Sequence, residues 1–158
     1  MQRRVLVSSL AACAVILLSG SAALAAEKWI GTWKLDPAKS KFSPGPAPKS
    51  LTLTFAATPD GIKFSSDGVD AEGKATHSEY VSKFDGKDVP YMGNPNADTA
   101  SPKKADDSSY ENPWKKDGKV TMTSHAVVSK DGKTLTIHQT GKSAKGETVD
   151  TTGVFVKQ

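Results

Sequence analysis

Seven times along the chain a glycine follows a charged residue: Asp60-Gly61, Asp67-Gly68, Glu72-Gly73, Asp85-Gly86, Asp117-Gly118, Asp131-Gly132 and Lys145-Gly146. Glycine accepts the positive φ that a tight hairpin turn demands, and a preceding aspartate strengthens the signal. Punctuation this dense leaves little room for helices. Between the turns lie stretches of alternating polarity, SLTLTFAA, GIKFSS, THSEYVSKF, KVTMTSHAVV, KTLTIHQT and ETVDTTGVFV. A period of two places one strand face on a core and the other in water. The spacing predicts an all-β fold, an antiparallel up-and-down meander of roughly 8–10 strands that closes or nearly closes into a barrel to hide its edges.

Register follows from the same alternation. Val120, Met122, Ala126 and Val128 share one face, as do Leu135 and Ile137. Placing both sets inside requires Val128 opposite Leu135, which a two-residue Asp131-Gly132 turn provides; a one-residue slip would turn one set outward. For Lys116-Asp117-Gly118 the same test selects a three-residue loop, with Trp114 and Tyr110 on the face of Val120 and Met122. Trp29, Gly31, Trp33 and Leu35 are expected to point inward, with the indole of Trp33 closing one end of the barrel.

The first 25 residues read as a signal peptide. MQRR is a positive n-region, VLVSSLAACAVILL is apolar, and Ala23-Leu24-Ala25 is a small-x-small cleavage pattern that starts the mature chain at Ala26. A membrane anchor fits less well, because the run falls short of the roughly 20 residues a spanning helix needs. Leu10-Ala11-Ala12-Cys13 resembles a lipoprotein cleavage box, but it sits in the middle of the apolar run. The reading is of export to the periplasm or beyond, no transmembrane segment in the mature chain, and a single domain over residues 26–158.

That cut changes the charge. Removing Arg3 and Arg4 from the 21 cationic residues leaves nineteen lysines against 17 acids, a net +2. The only cysteine, Cys13, leaves as well, so the core must hold without disulfides. Without arginine the mature chain lacks the side chain best suited to bidentate grip on phosphate or to reading guanine. Lys103-Lys104 and Lys115-Lys116 are interleaved with Asp106, Asp107, Glu111 and Asp117, a mixed solvated surface. Nucleic acid is therefore not an expected partner.

Two stretches break the alternation. DPAKSKFSPGPAPKS, residues 36–50, carries Pro37, Pro44, Pro46 and Pro48 and cannot be a regular helix beyond its first turn. It is either an extended strap across one end of the barrel or a mobile loop. GNPNADTASP, residues 93–102, is a second long loop.

Few residues carry chemistry. The register sets His125 opposite His138, two weak metal-ligand candidates that lack a third partner unless His77 and Glu79 approach from a distant strand. The plainer reading is two exposed histidines on a threonine-rich outer face. Asn94, Asn96 and Asp98 have the spacing that opens a calcium loop, yet Thr99 replaces the turn glycine and Ala105 the bidentate glutamate. No serine elbow, no thiol and no glycine-rich loop entering a helix is present, so no catalytic set is recognised and no cofactor is called for.

KWIGTWKL, residues 28–35, resembles the G-x-W signature of lipocalins and the GTWKL start of intracellular fatty-acid-binding proteins. That resemblance implies a calycin-like barrel. Two departures stand out: a proline-rich segment where fatty-acid-binding proteins place two helices, and no arginine for a ligand carboxylate or for packing on the tryptophan. GTWKLDPAKSKFSPGPAPKS, PNADT, VVSKDGKTLT and VFVKQ also resemble a family of small secreted bacterial proteins. This second resemblance implies export and a shared fold, and supplies no activity.

The favoured expectation is a secreted, non-catalytic barrel with a small apolar ligand or lipid inside. Its candidate lining residues are Trp33, Leu53, Phe55, Phe64, Tyr80, Phe84, Met122, Ile137 and Phe155. The alternative is an envelope interaction module, its protein partner unknown, in which those side chains simply fill the core.

Overall fold

The computed structural model describes residues 27–158; the expected signal peptide, residues 1–25, and its expected cleavage site lie outside the described residues. Among them eleven strands form a single antiparallel sheet: β1 (Gly31–Leu35), β2 (Ser50–Thr58), β3 (Gly61–Val69), β4 (Ala75–Ser82), β5 (Val89–Pro90), β6 (Thr99–Ala100), β7 (Lys103–Asp106), β8 (Ser109–Lys116), β9 (Lys119–Val128), β10 (Thr134–Lys142) and β11 (Thr148–Lys157). Their spatial order is β4-β3-β2-β1-β11-β10-β9-β8-β6-β5, with β7 also on β8. Pairing of β1 with β11 joins the two ends of the chain. The seam between β4 and β8 is filled by irregular backbone: Glu79 pairs with Met92, and Asp85 with Lys103. The result is the expected all-β, nearly closed antiparallel barrel, with three very short strands added at the seam. No described helix is long and apolar enough to cross a membrane.

Most turn glycines act as anticipated. Asp117 and Gly118, at φ 50° and 74°, form a two-residue hairpin in which Lys116 faces Lys119. This corrects the three-residue loop expected there. A bulge between Trp114 and Lys115 restores the parity, so Trp114 still faces Met122, while Val120 is left exposed on the outside. Two devices, a longer loop or a bulge, put the same side chains inside, and alternation alone cannot choose between them. At the next hairpin Val128 faces Leu135 and His125 faces His138, as the register requires. Asp67-Gly68 is no turn at all. It lies within β3, where Gly68 faces Leu51 and Thr76, and a Cβ there would come within 2.5 Å of the Ser50 carbonyl oxygen.

The barrel has a packed end and an open end. Trp29, just before β1, reaches across the interior to Phe84 (ring centroids 5.7 Å apart) and Tyr110 (5.5 Å). Trp33 is equally buried and donates its indole N–H to the Trp29 carbonyl at 2.8 Å. Trp29 and Trp33, joined by this hydrogen bond, thus fill the closed end together. Phe55, Leu35, Val128 and Leu135 complete this packed region.

The first half of the proline-rich segment, residues 36–43, is neither a lid nor a loose loop. After a 3-10 turn at Pro37–Lys39, capped by the Asp36 carboxylate, the chain runs on beside β11. Lys41 pairs with Thr152, the Ser43 carbonyl accepts from the Asp150 N–H at 2.8 Å, and the Ser40 hydroxyl accepts from the Val154 N–H at 2.9 Å. It prolongs β1 as an irregular wall strand, and Phe42 packs against the core.

Candidate functional site

Beyond the aromatic plug the interior stays open as a cavity of about 380 Å³. The reason lies in side-chain size. Ser66, Ser78 and Ser124 line this void, at positions where a barrel with a filled interior would carry large residues, whereas Gly153 makes room for the Phe155 ring. The remaining wall is mainly apolar. Phe64, Tyr80, Tyr91 and Trp114 form an aromatic side, with Tyr80 stacked on Phe64 at 4.8 Å and Tyr91 edge-on to Trp114 at 5.4 Å. Met122, Ile137 and Phe155 line the opposite strands. Phe42, Pro44, Leu51 and Val149 supply the apolar part of the rim.

Of the nine lining candidates, Leu53, Phe64, Tyr80, Met122, Ile137 and Phe155 border the cavity. Trp33, Phe55 and Phe84 do not. They belong to the packed end, because the N-terminal plug around Trp29 occupies that part of the lumen. Alternation tells which side chains point inward; it does not tell at what height the interior is filled.

Polar side chains at inward positions also line the cavity. Asn112, only 3% exposed, donates from its amide to the Tyr80 hydroxyl at 3.4 Å and accepts from the Ser101 N–H at 3.2 Å. Ser124 accepts from the Gln139 amide at 3.2 Å. A signal for these residues was present: Asn112 has the parity of Tyr110 and Trp114, Ser124 that of Met122 and Ala126, and Gln139 that of Ile137. A polar residue at an inward position marks a lined space as opposed to a core. All three tyrosines of the chain border the cavity, and burial pushes each phenol above its ordinary pKa of 10.0.

Ionisable side chains gather at the rim and outside. His77 lies at the rim and donates to Asp67 at 2.6 Å; that hydrogen bond, reinforced by Glu79 at 3.4 Å, raises its pKa above the usual 6.5. His125 and His138 are opposed on the outer face, each beside its own carboxylate: Glu111 at 3.9 Å and Asp150 at 2.8 Å. Each ring thus faces a carboxylate of its own. Asn94 and Asn96 spend their side-chain oxygens on the N–H groups of Asn96 and Ala144, and Asp98 accepts from the Asp117 N–H. Among the described residues no three metal-ligating side chains converge.

One cation does stand on the signature tryptophan. The Lys157 ammonium sits 5.0 Å from the Trp33 ring centre, its side chain lying across Gly31. Gly31 has φ 133°, a conformation that side chains rarely adopt, which explains the glycine two residues before Trp33.

No protein-family model matches the sequence, and a search of curated proteins returns no match. Among solved structures, the zebrafish ileal bile acid-binding protein complexed with cholic acid is similar, with a TM-score of 0.50 at 10% identity. The match covers 83% of this chain and 99% of that one. At that identity the likeness speaks to architecture, and the architecture is a calycin-like antiparallel barrel.

Proposed function

We propose that this chain is an exported, non-catalytic barrel that binds a small, mostly apolar ligand in its interior. The observation that carries the reading is the cavity of about 380 Å³, within the range of small-molecule sites and walled by aromatic and aliphatic side chains with a few polar groups. A barrel acting only through its surface gains nothing from serines at these inward positions, since filling them would add stability. The zebrafish protein of similar fold holds cholic acid, which supports the architecture as one able to carry such a guest. The non-catalytic part of the reading comes from the sequence, in which no catalytic set is recognised. Export is supported by the pattern of residues 1–25, and membership of a family of small secreted bacterial proteins by the resemblance of GTWKL and the segments after it.

Native mass spectrometry of protein purified from its own host tests both halves. A polypeptide beginning at Ala26 and carrying a reproducible adduct of small-molecule mass is expected; a clean apo mass across preparations, or an unprocessed N-terminus, counts against the corresponding half. Ser124→Leu places a large side chain in the cavity. It is expected to abolish the adduct while the β-sheet circular dichroism persists, and an adduct that survives in a folded variant places the ligand elsewhere.

A further inference from the structure

Resting on the reading that the cavity holds a guest, we propose that this guest is uncharged: an apolar body ending in a hydroxyl, carbonyl or amide group, with that polar end at the cavity floor. No lysine, aspartate or glutamate lines the void, and residues 27–158 contain no arginine. Apart from the tyrosines, His77 is the one ionisable lining residue. It sits at the rim and is already held by Asp67 and Glu79. An ionised carboxylate, sulfate or phosphate drawn to the floor would lose its water and meet no cation, which is far more costly than burying a hydroxyl that finds a hydrogen bond.

The floor is built for such a hydroxyl. Tyr110 borders the cavity and rests on Trp29 and Phe84, which places it at the bottom. Tyr80, also near Phe84, accepts from Asn112 and shares a hydrogen bond with Tyr110, so the pair keeps one hydroxyl hydrogen for donation to a guest. Both phenols and the amide are neutral groups that can each give or take a hydrogen bond. Burial holds the phenols protonated, so the floor stays uncharged over the physiological pH range. The Ser124–Gln139 pair offers a second neutral contact higher on the wall. Above these groups Met122, Ile137 and Phe155 face the aromatic side, a slot suited to an aliphatic chain or a flat apolar body.

The test compares dodecanol, dodecanamide and dodecanoate, three probes sharing one tail, together with the uncharged dye Nile red. Affinities are measured by calorimetry on the mature chain at neutral pH. The alcohol and the amide are expected to bind about tenfold or more tighter than the carboxylate, and dodecanoate is expected to gain affinity as the pH falls and its carboxyl group takes up a proton. Tyr80→Phe, which removes one hydroxyl and keeps the ring, is expected to weaken dodecanol and leave Nile red unchanged. Dodecanoate binding as tightly as dodecanol overturns the proposal. So does Nile red binding without any of the three tailed probes, in which case the ligand-carrying reading survives alone. Failure of every probe, Nile red included, removes both.

Discussion

The contact between Lys157 and Trp33 joins the last strand to the first through two side chains. A cation over an indole face contributes about 0.5–1 kcal/mol when partly solvated. Lys157→Met, which keeps the aliphatic stem across Gly31, is therefore expected to lower stability by about that amount in urea titration; an unchanged midpoint would reduce the contact to packing. His77 supports a second measurement at this scale. Its pKa is raised by the Asp67 carboxylate, so the favourable interaction is present below the unfolded value of 6.5 and is lost as the pH rises through the raised folded value. An NMR titration is expected to place the His77 midpoint above 6.5, and Asp67→Asn to bring it back down. A midpoint unmoved by that substitution would assign the shift to another group.

At the scale of elements, the prolonged first strand decides how the cavity is walled. Residues 36–43 take most of their hydrogen bonds from β11, so this stretch, which holds only Pro37 of the four prolines, is part of the barrel. Pro37 opens the 3-10 turn, where a missing N–H costs little, and Pro44, Pro46 and Pro48 follow the paired residues. Phe42 is half-buried and contributes one face of the rim. Phe42→Ala is expected to cost about 1–2 kcal/mol of stability and to speed Nile red release severalfold, read by stopped-flow fluorescence. Equal release rates would show that guests leave by another part of the rim. The hairpin at Asp117-Gly118 and the bulge after it form a second such unit: the tight turn puts the strands one residue out of phase, and the bulge corrects them before Trp114 and Met122 meet.

For the whole molecule the interior sets the response to pH. Tyr80, Tyr91 and Tyr110 all titrate higher when folded than the ordinary value of 10.0. Above that value the unfolded chain ionises first. The stability these phenols contribute is complete below pH 10.0 and is lost as the pH rises toward their folded values. Tyrosinate absorbance and far-ultraviolet circular dichroism are expected to change together on alkaline titration. Phenols that ionise near pH 10.0 while the β-sheet signal persists would show that they are open to solvent. Acid is met differently. Asp88, Asp98, Asp106 and Asp131 have lowered pKa values, yet all are on the surface, so each contributes little to acid stability.

Architecture was legible in the chain because hairpin geometry is local. A glycine that accepts positive φ and a two-residue alternation suffice to define antiparallel neighbours, and Val128 opposite Leu135 follows from them. The two misreadings, Asp67-Gly68 as a turn and the loop at Asp117-Gly118, have one cause. The glycine of an Asp-Gly pair can serve close backbone approach as well as a turn, and a bulge can replace a longer loop without altering which residues face inward. The candidate site was legible only in part. Six of nine lining residues border the cavity because inward orientation is a property of the strand. Trp33, Phe55 and Phe84 do not, because how full the barrel is at each height depends on what the opposite strands and the N-terminal plug put there.

The amino-acid order by itself determined strands, turns, parity and an interior free of arginine, since each of these depends on neighbours within a few residues or on composition. Only the tertiary structure decided where the lumen is plugged, that the first half of the proline-rich stretch is a wall, and that Asn112, Tyr80 and Tyr110 share the cavity floor. Those outcomes rest on contacts between residues tens of positions apart, whose distances are set by closure of the sheet and by no local rule.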